Sequence, residues 1–372
     1  MTAKLTGAVD DRVAAWKECG AMALCGRPDG PPLGPPAPLV PRLRAIGDVL
    51  QRHAGGSVPD VLGLLGERAT LLGLTRGGDV SCGGSTRLLR SRDGWVAVTL
   101  ARPEDNEAVA AWLECEADPD DPWAVVGDVV PTRRAGQLVD RATLLGLPIA
   151  ALPEAPVPIA SGVPPFDGLP IGAIAFGDAD RRSTPFTVVE LGSLWAAPLC
   201  GRLLRLAGGR VVKVESRARP DGARQHPAFY QRMNQGKEEA VVDLAELAQL
   251  VASADVVIEG SRPRALRQLG VVAEDLLAAA DGPSLWVSIT GHGRTGDSAM
   301  RVAFGDDAAV AGGLVVWDEG SPCFCADAIA DPLSGIVAAA AALVALRSGR
   351  RWLLDVSLSG VAGRFAGPTL SA

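Results

Sequence analysis

The chain has 372 residues, 48% hydrophobic and 21% charged, with a net charge of −7. That length suits two domains, and 32 of the 36 cationic residues are Arg, scattered without interleaved aromatics, which speaks against a nucleic-acid-binding stripe. The longest apolar run, Leu333 to Leu346, is shorter than the ~20 residues that cross a bilayer and reads as a buried helix.

In chain order, residues 1–65 read as an N-terminal helical segment with a Pro/Gly-rich linker at 27–41. The start has no apolar targeting segment, so a cytoplasmic protein without a membrane anchor is expected. Residues 42–73 follow a helical pattern. The run S-T-R-L-L-R-S-R-D-G-W-V-A-V-T-L at 85–100 predicts a β-hairpin turning at R-D-G, with Gly94 supplying a positive φ. Helices are expected at 104–115 and 136–147, so that 66–152 forms a small α+β domain. The heptapeptide R-A-T-L-L-G-L occurs at 68–74 and 141–147; two copies make no solenoid, and Leu-Leu-Gly-Leu is a helix-ending pattern.

Residues 153–182 are again Pro/Gly-rich and read as a linker. Beyond it, β-branched runs at 186–191, 210–215 and 255–260 alternate with helix-length segments, the pattern of parallel βαβ units. The expected fold class is therefore α/β, a Rossmann-like parallel-sheet large domain at 183–372 plus the smaller α+β domain. Seven Cys without a C-x-x-C pair and three His far apart (53, 226, 292) predict neither a disulfide framework nor a metal centre.

Six elements stand in a specific order within the large domain: W-A-A-P at a helix start, V-V-K-V-E, N-Q-G-K, V-V-D-L, D-V-V-I-E-G-S-R-P and S-I-T-G-H-G-R-T-G. With A-D-A-I-A-D-P-L-S-G (326–335) and L-L-D-V-S-L (353–358), this order resembles the class III CoA-transferases, which include formyl-CoA transferase and α-methylacyl-CoA racemase. The hairpin R-D-G-W-V-A-V and L-G-L-P-I-A resemble that family's small domain, which there usually follows the large-domain elements. Here it precedes them, so the domain order looks permuted.

The resemblance implies transfer of CoA from an acyl-CoA to a carboxylic acid through an Asp carboxylate, with anhydride and enzyme-bound thioester intermediates. It also implies a homodimer. The family's nucleophilic Asp lies in a segment of the form R-P-G-Y-D. The matching segment, R-V-A-F-G-D-D, puts Gly305 at that position, and Asp306 and Asp307 are the nearest substitutes. One residue on a helix is a turn of about 100°, which aims a side chain elsewhere. Asp306 and Asp307 are equally well explained as acids in the first turn of a helix, favoured by its dipole.

The racemase branch calls for a His where Phe304 stands and an Asp near the start of the long helix, where Asp331 stands. Phe304 can neither take nor give a proton. Asp331 is also explained as an N-cap before Pro332. For coenzyme A, the resemblance points to Trp195, Ala196, Ala197 and Pro198 at a helix start, and to Lys237, Arg262 and Arg217 (with Arg219) for the phosphates. Gly291 and Gly293 would belong to a mobile loop over the active site, with His292 exposed on it. G-H-G-R-T-G at 291–296 also has dinucleotide spacing with Asp318 about 20 residues on, which leaves a nicotinamide-dependent oxidoreductase as a rival reading. A catalytically silent CoA-binding relative is a further alternative.

Overall fold

Val, Ile and Leu fill the segments that become central strands, and such continuous apolar runs persist only where both sheet faces are covered. In the computed structural model, which describes residues 11–154, 164–180, 185–217, 220–261 and 263–366, they form a seven-stranded sheet. The strands are β1 (Thr86–Arg90), β2 (Trp95–Thr99), β3 (Ile149–Leu152), β4 (Gly172–Asp178), β5 (Phe186–Leu191) and β6 (Gly209–Glu215). They continue with β7 (Glu238–Val241), β8 (Val256–Glu259), β9 (Leu285–Thr290), β10 (Val315–Asp318), β11 (Ser321–Phe324) and β12 (Arg350–Ser357).

The large sheet runs β4-β12-β9-β8-β5-β6-β7, parallel throughout except for β4, which pairs antiparallel with β12 at one edge. From β5 the chain winds outward through β6 and β7, then returns to β8 beside β5 and winds the other way. That is the doubly wound Rossmann order, and its direction reverses between β5 and β8.

Helix Ala330–Arg347 is the apolar run read from sequence, and it lies buried along almost its whole length. Its alanines let neighbours approach closely: a Cβ on Gly335 would stand 2.7 Å from the Ala196 carbonyl oxygen. Helix Leu39–His53 packs on this same helix and shares the large-domain core through Leu39, Leu43, Ile46 and Leu50. Residues 11–74 are thus part of the large domain, not a separate segment, and helix Glu67–Leu72 joins them because it packs on helix Pro227–Asn234.

The small domain is the antiparallel sheet β1-β2-β3 with helices Pro103–Leu113, Pro122–Val129 and Ala135–Leu145 around their own core of Val96, Val98, Val109, Trp112 and Ile149. The hairpin turn is closed by Ser91 and Gly94, whose backbones bond at 3.0 Å, without the positive φ expected of Gly94. Both R-A-T-L-L-G-L copies do end helices, at Gly73 (φ 66°) and Gly146 (φ 69°). The expected linker 153–182 contains an element after all: Phe166 stacks edge-on against Trp352 at 4.9 Å, and 172–178 become edge strand β4. Residues 155–163 lie outside the described residues.

The two domains meet on helix Gly305–Ala311. Val310 packs with Leu88 and Ala97 of the small sheet and with Val315 and Phe324 of the β10–β11 hairpin. Glu154 N–H donates to Ala311 O at 3.0 Å, and the Glu154 carboxylate pairs with Arg301.

Candidate active site

At the reversal point the carboxyl ends of β5, β6, β7 and β8 enclose a cleft of 420 Å³. Its walls include Leu191, Ser193, Glu215, Leu244, Ser261 and Leu266. Crevices at this place in doubly wound sheets take ligands because diverging helices leave the strand tips uncovered. The floor is bare backbone: a Cβ on Gly192 would stand 2.2 Å from Ala197 Cβ, and one on Gly260 would stand 3.1 Å from Gly192 Cα. Leu194 holds a left-handed conformation (φ 67°), with its N–H donating to Asp221 at 2.9 Å. Such strain persists only where surrounding contacts fix it.

The structure separates the residues assigned to coenzyme A. Ala196, Ala197 and Pro198 open helix Ala196–Leu206 beside the cleft and are buried. Trp195 is buried below it, 5.4 Å from Phe229 in an edge-on pair. Lys237 departs from expectation. Its fully enclosed ammonium pairs with Glu190 at 2.7 Å and donates to Pro198 O and Asn234 Oδ1, each at 2.9 Å, so it does not face a phosphate. Lys213 meets the same Glu190 at 3.5 Å and Asp221 at 2.8 Å. Arg217 is exposed in the turn after β6, whereas Arg219 and Arg262 lie outside the described residues.

Gly291 packs so tightly that a Cβ would stand 2.7 Å from Ala303 Cβ, and Gly293 (φ 105°) donates to Thr290 Oγ1 at 3.0 Å. Their loop is anchored: Arg294 turns inward to Glu259 at 3.0 Å and Glu274 at 3.1 Å. His292, expected to be exposed, is buried, and burial reinforced by Arg301 pushes it down to about 4. The 291–296 loop follows β9, not β5, and Gly296 opens only the short turn Asp297–Met300. Asp318 pairs with Arg27 instead of facing the sheet ends. These placements remove the dinucleotide reading, because a pyrophosphate needs a helix N-terminus at the first strand.

The start of helix Gly305–Ala311 gathers four carboxylates. Asp307 accepts from Phe304 N–H at 2.9 Å and from Thr99 Oγ1 at 3.2 Å; its other oxygen is buried without a partner. Burial pushes it up to about 7. Asp306 accepts from Ala328 N–H at 3.0 Å, and burial together with Asp327 drives it well above the usual range. Asp327 is enclosed and meets Arg68 Nη1 through both oxygens, at 2.6 and 2.8 Å. Burial raises it even so.

Asp331 is partly buried and accepts from the Gly305 N–H; burial pushes it up to about 7 against the pull of Arg68. It is not the expected N-cap, since helix Ala330–Arg347 begins one residue earlier, after Ile329. The loop between these acids is strained, with Ala326 and Ala328 at φ 61° and 42°. It fills the space over Gly305, where a Cβ would stand 2.2 Å from Ala328 O and 2.7 Å from Asp331 Oδ2. No side chain fits at position 305. Arg68 completes the cluster, its guanidinium carbon 5.7 Å from the Trp195 ring and 5.9 Å from Phe229. Asp327 and Arg68 were missed in the sequence. The pair of acids in A-D-A-I-A-D was a usable signal, but Arg68 was hidden in a segment explained as a helix end.

The model of CoA-transferase family III matches residues 185–371. Succinyl-CoA–D-citramalate CoA-transferase of Chloroflexus aurantiacus is 30% identical over 192 residues, 46% of this chain and 48% of that protein. Succinate–glutarate CoA-transferase of Agrobacterium fabrum is 31% identical over 213 residues, 49% of this chain and 52% of its own length. Among solved structures, Rv3272 from Mycobacterium tuberculosis is 29% identical and covers 50% of this chain and 55% of its own, with a TM-score of 0.44. The chain spans about half the length of the curated relatives it matches. The match takes in β5 to β12, and with them the cleft at the strand tips and all four clustered acids, while Arg68 lies outside it; through that half, the chain belongs to CoA-transferase family III.

Proposed function

We propose that this protein binds an acyl-CoA at the cleft between β5 and β8 and passes its coenzyme A to a carboxylic acid through a carboxylate of the cluster around Gly305. The observation that carries the reading is the family match over the segment that builds both features. The cleft offers apolar walls for a base and backbone for phosphates at a helix start. A carboxylate attacks the thioester carbonyl, forming a mixed anhydride and releasing CoA thiolate. The thiolate attacks the enzyme's carbonyl carbon, forming an enzyme thioester and freeing the donor acid. The acceptor acid then reverses the two steps.

Relatives named for succinyl-CoA make a dicarboxylic thioester the first donor to try. The alternative of a silent CoA binder is favoured by one observation: Gly305 stands where the family's nucleophile is expected, and Asp306 and Asp307 are enclosed. The racemase alternative lacks a proton acceptor at Phe304. Two measurements test the proposal. Thermal shift with CoA, succinyl-CoA and NAD should raise the melting temperature with the two thioester-pathway ligands alone. Labelled succinate should then exchange into succinyl-CoA; stabilisation by CoA without exchange would select the silent binder.

A further inference from the structure

We propose that Asp331 is the carboxylate that carries the acyl group and then CoA, held in place by the Gly305 amide and the Arg68–Asp327 pair. The inference rests on the transferase reading and names the nucleophile within it.

A carboxylate nucleophile needs an oxygen that is ionised, not already spent on a partner, and reachable. Asp327 gives both oxygens to Arg68 and is enclosed. Asp306 spends one oxygen on Ala328 N–H and faces the ionised Asp327, which opposes a second negative charge beside it. Asp307 has no exposed surface and points into the joint with the small domain, against Thr99 and Phe304 N–H. Asp331 differs in keeping partial exposure. Like Asp306 it accepts from one backbone amide, and Asp327 opposes its negative charge while Arg68 favours it.

Its position strengthens the case. Asp331 Oδ2 stands 2.7 Å from where a Cβ on residue 305 would be, closer than a side chain there could tolerate. A carboxylate oxygen therefore occupies the volume that a side chain at 305 would otherwise fill, delivered from helix Ala330–Arg347. The bonds balance. Asp331 Oδ2 bonds to the acyl carbon as the C–S bond breaks, and CoA thiolate leaves. The thiolate then bonds to Asp331 Cγ as the C–O bond to the acyl-bearing oxygen breaks, and the donor acid leaves as carboxylate. An acceptor carboxylate repeats both exchanges in reverse and restores Asp331.

The test is to incubate the wild-type chain with succinyl-CoA, quench with hydroxylamine and map the modified peptide by mass spectrometry. Hydroxylamine converts an aspartyl anhydride or thioester to a hydroxamate, expected on Asp331. Asp331→Asn should lose the label and at least ~1000-fold of the succinate exchange rate while its melting temperature still rises with CoA. Hydroxamate on Asp306 or Asp307 would overturn the assignment and leave the transferase reading standing. Absence of label and of exchange in a wild-type chain that CoA stabilises would overturn both.

Discussion

Two buried charge clusters in this molecule are built on opposite principles. Glu190 and Asp221 face Lys213 and Lys237, two anions to two cations, each ion pair enclosed. Around Gly305, Asp306, Asp327 and Asp331 share Arg68, while Asp307 has only the pull of Arg301. The balanced set holds the sheet ends at β5 and β6 to the helix beside them. The unbalanced set keeps carboxyl groups above their ordinary range, which costs stability and is the kind of arrangement chemistry uses. The comparison distinguishes a charged residue that builds the site from one that works in it.

The largest effect should come from unbalancing the first cluster. Glu190→Gln leaves two buried ammonium groups short of an anion and is expected to lower unfolding free energy by about 3–5 kcal/mol in urea titration. A loss under ~1 kcal/mol would show that Lys213 and Lys237 find other partners.

Removing an acid from the second cluster should show itself in pH dependence. Asp307 stands at about 7 when folded against 3.8 in the free side chain, so its protonated form favours the fold. Its favourable contribution is complete below about pH 4 and is lost as pH rises through 7, on the order of 4 kcal/mol in all. Asp307→Asn should remove that decline, so that the stability difference between wild type and variant changes steadily from pH 4 to pH 7.5. A constant difference would contradict the placement of Asp307.

A smaller effect is expected at Gly201, where a Cβ would stand 1.9 Å from Glu190 Oε2. Gly201→Ala should cost about 1–3 kcal/mol by displacing that carboxylate from Lys237. The smallest belongs to Asp306→Asn. A neutral amide keeps the acceptor for Ala328 N–H and relieves repulsion with Asp327, so stability should change by less than ~1 kcal/mol. A large loss would mean that Asp306 is ionised and needed in that state.

The sequence was most readable where neighbouring residues decide the outcome. The β-branched runs became β5, β6 and β8, the S-T-R-L-L-R…W-V-A-V-T run became the β1–β2 hairpin, and the Ala-rich stretch became a buried helix. It was least readable where distant segments decide. Glu67–Leu72 carries a helix-ending motif seen also in the small domain, but its burial against helix Pro227–Asn234 assigns it to the large one. Proline content concealed β4, which is an edge strand and so tolerates Pro-rich flanks. Lys237 looks like a phosphate ligand in N-Q-G-K, and only its distance to Glu190 in β5 reveals an internal counter-ion. The acid cluster draws on residues 68, 306, 307, 327 and 331, and no local spacing encodes that convergence.

A crystal structure of the protein with coenzyme A tests most directly whether the strand-tip cleft presents a thioester to the acids around Gly305. The nucleotide should lie between Leu191–Ser193 and Gly260–Ser261, with the thiol directed toward Asp331. Coenzyme A bound instead in the 570 Å³ cleft between Arg27–Pro31 and the β10–β11 hairpin, with the strand tips empty, would contradict it.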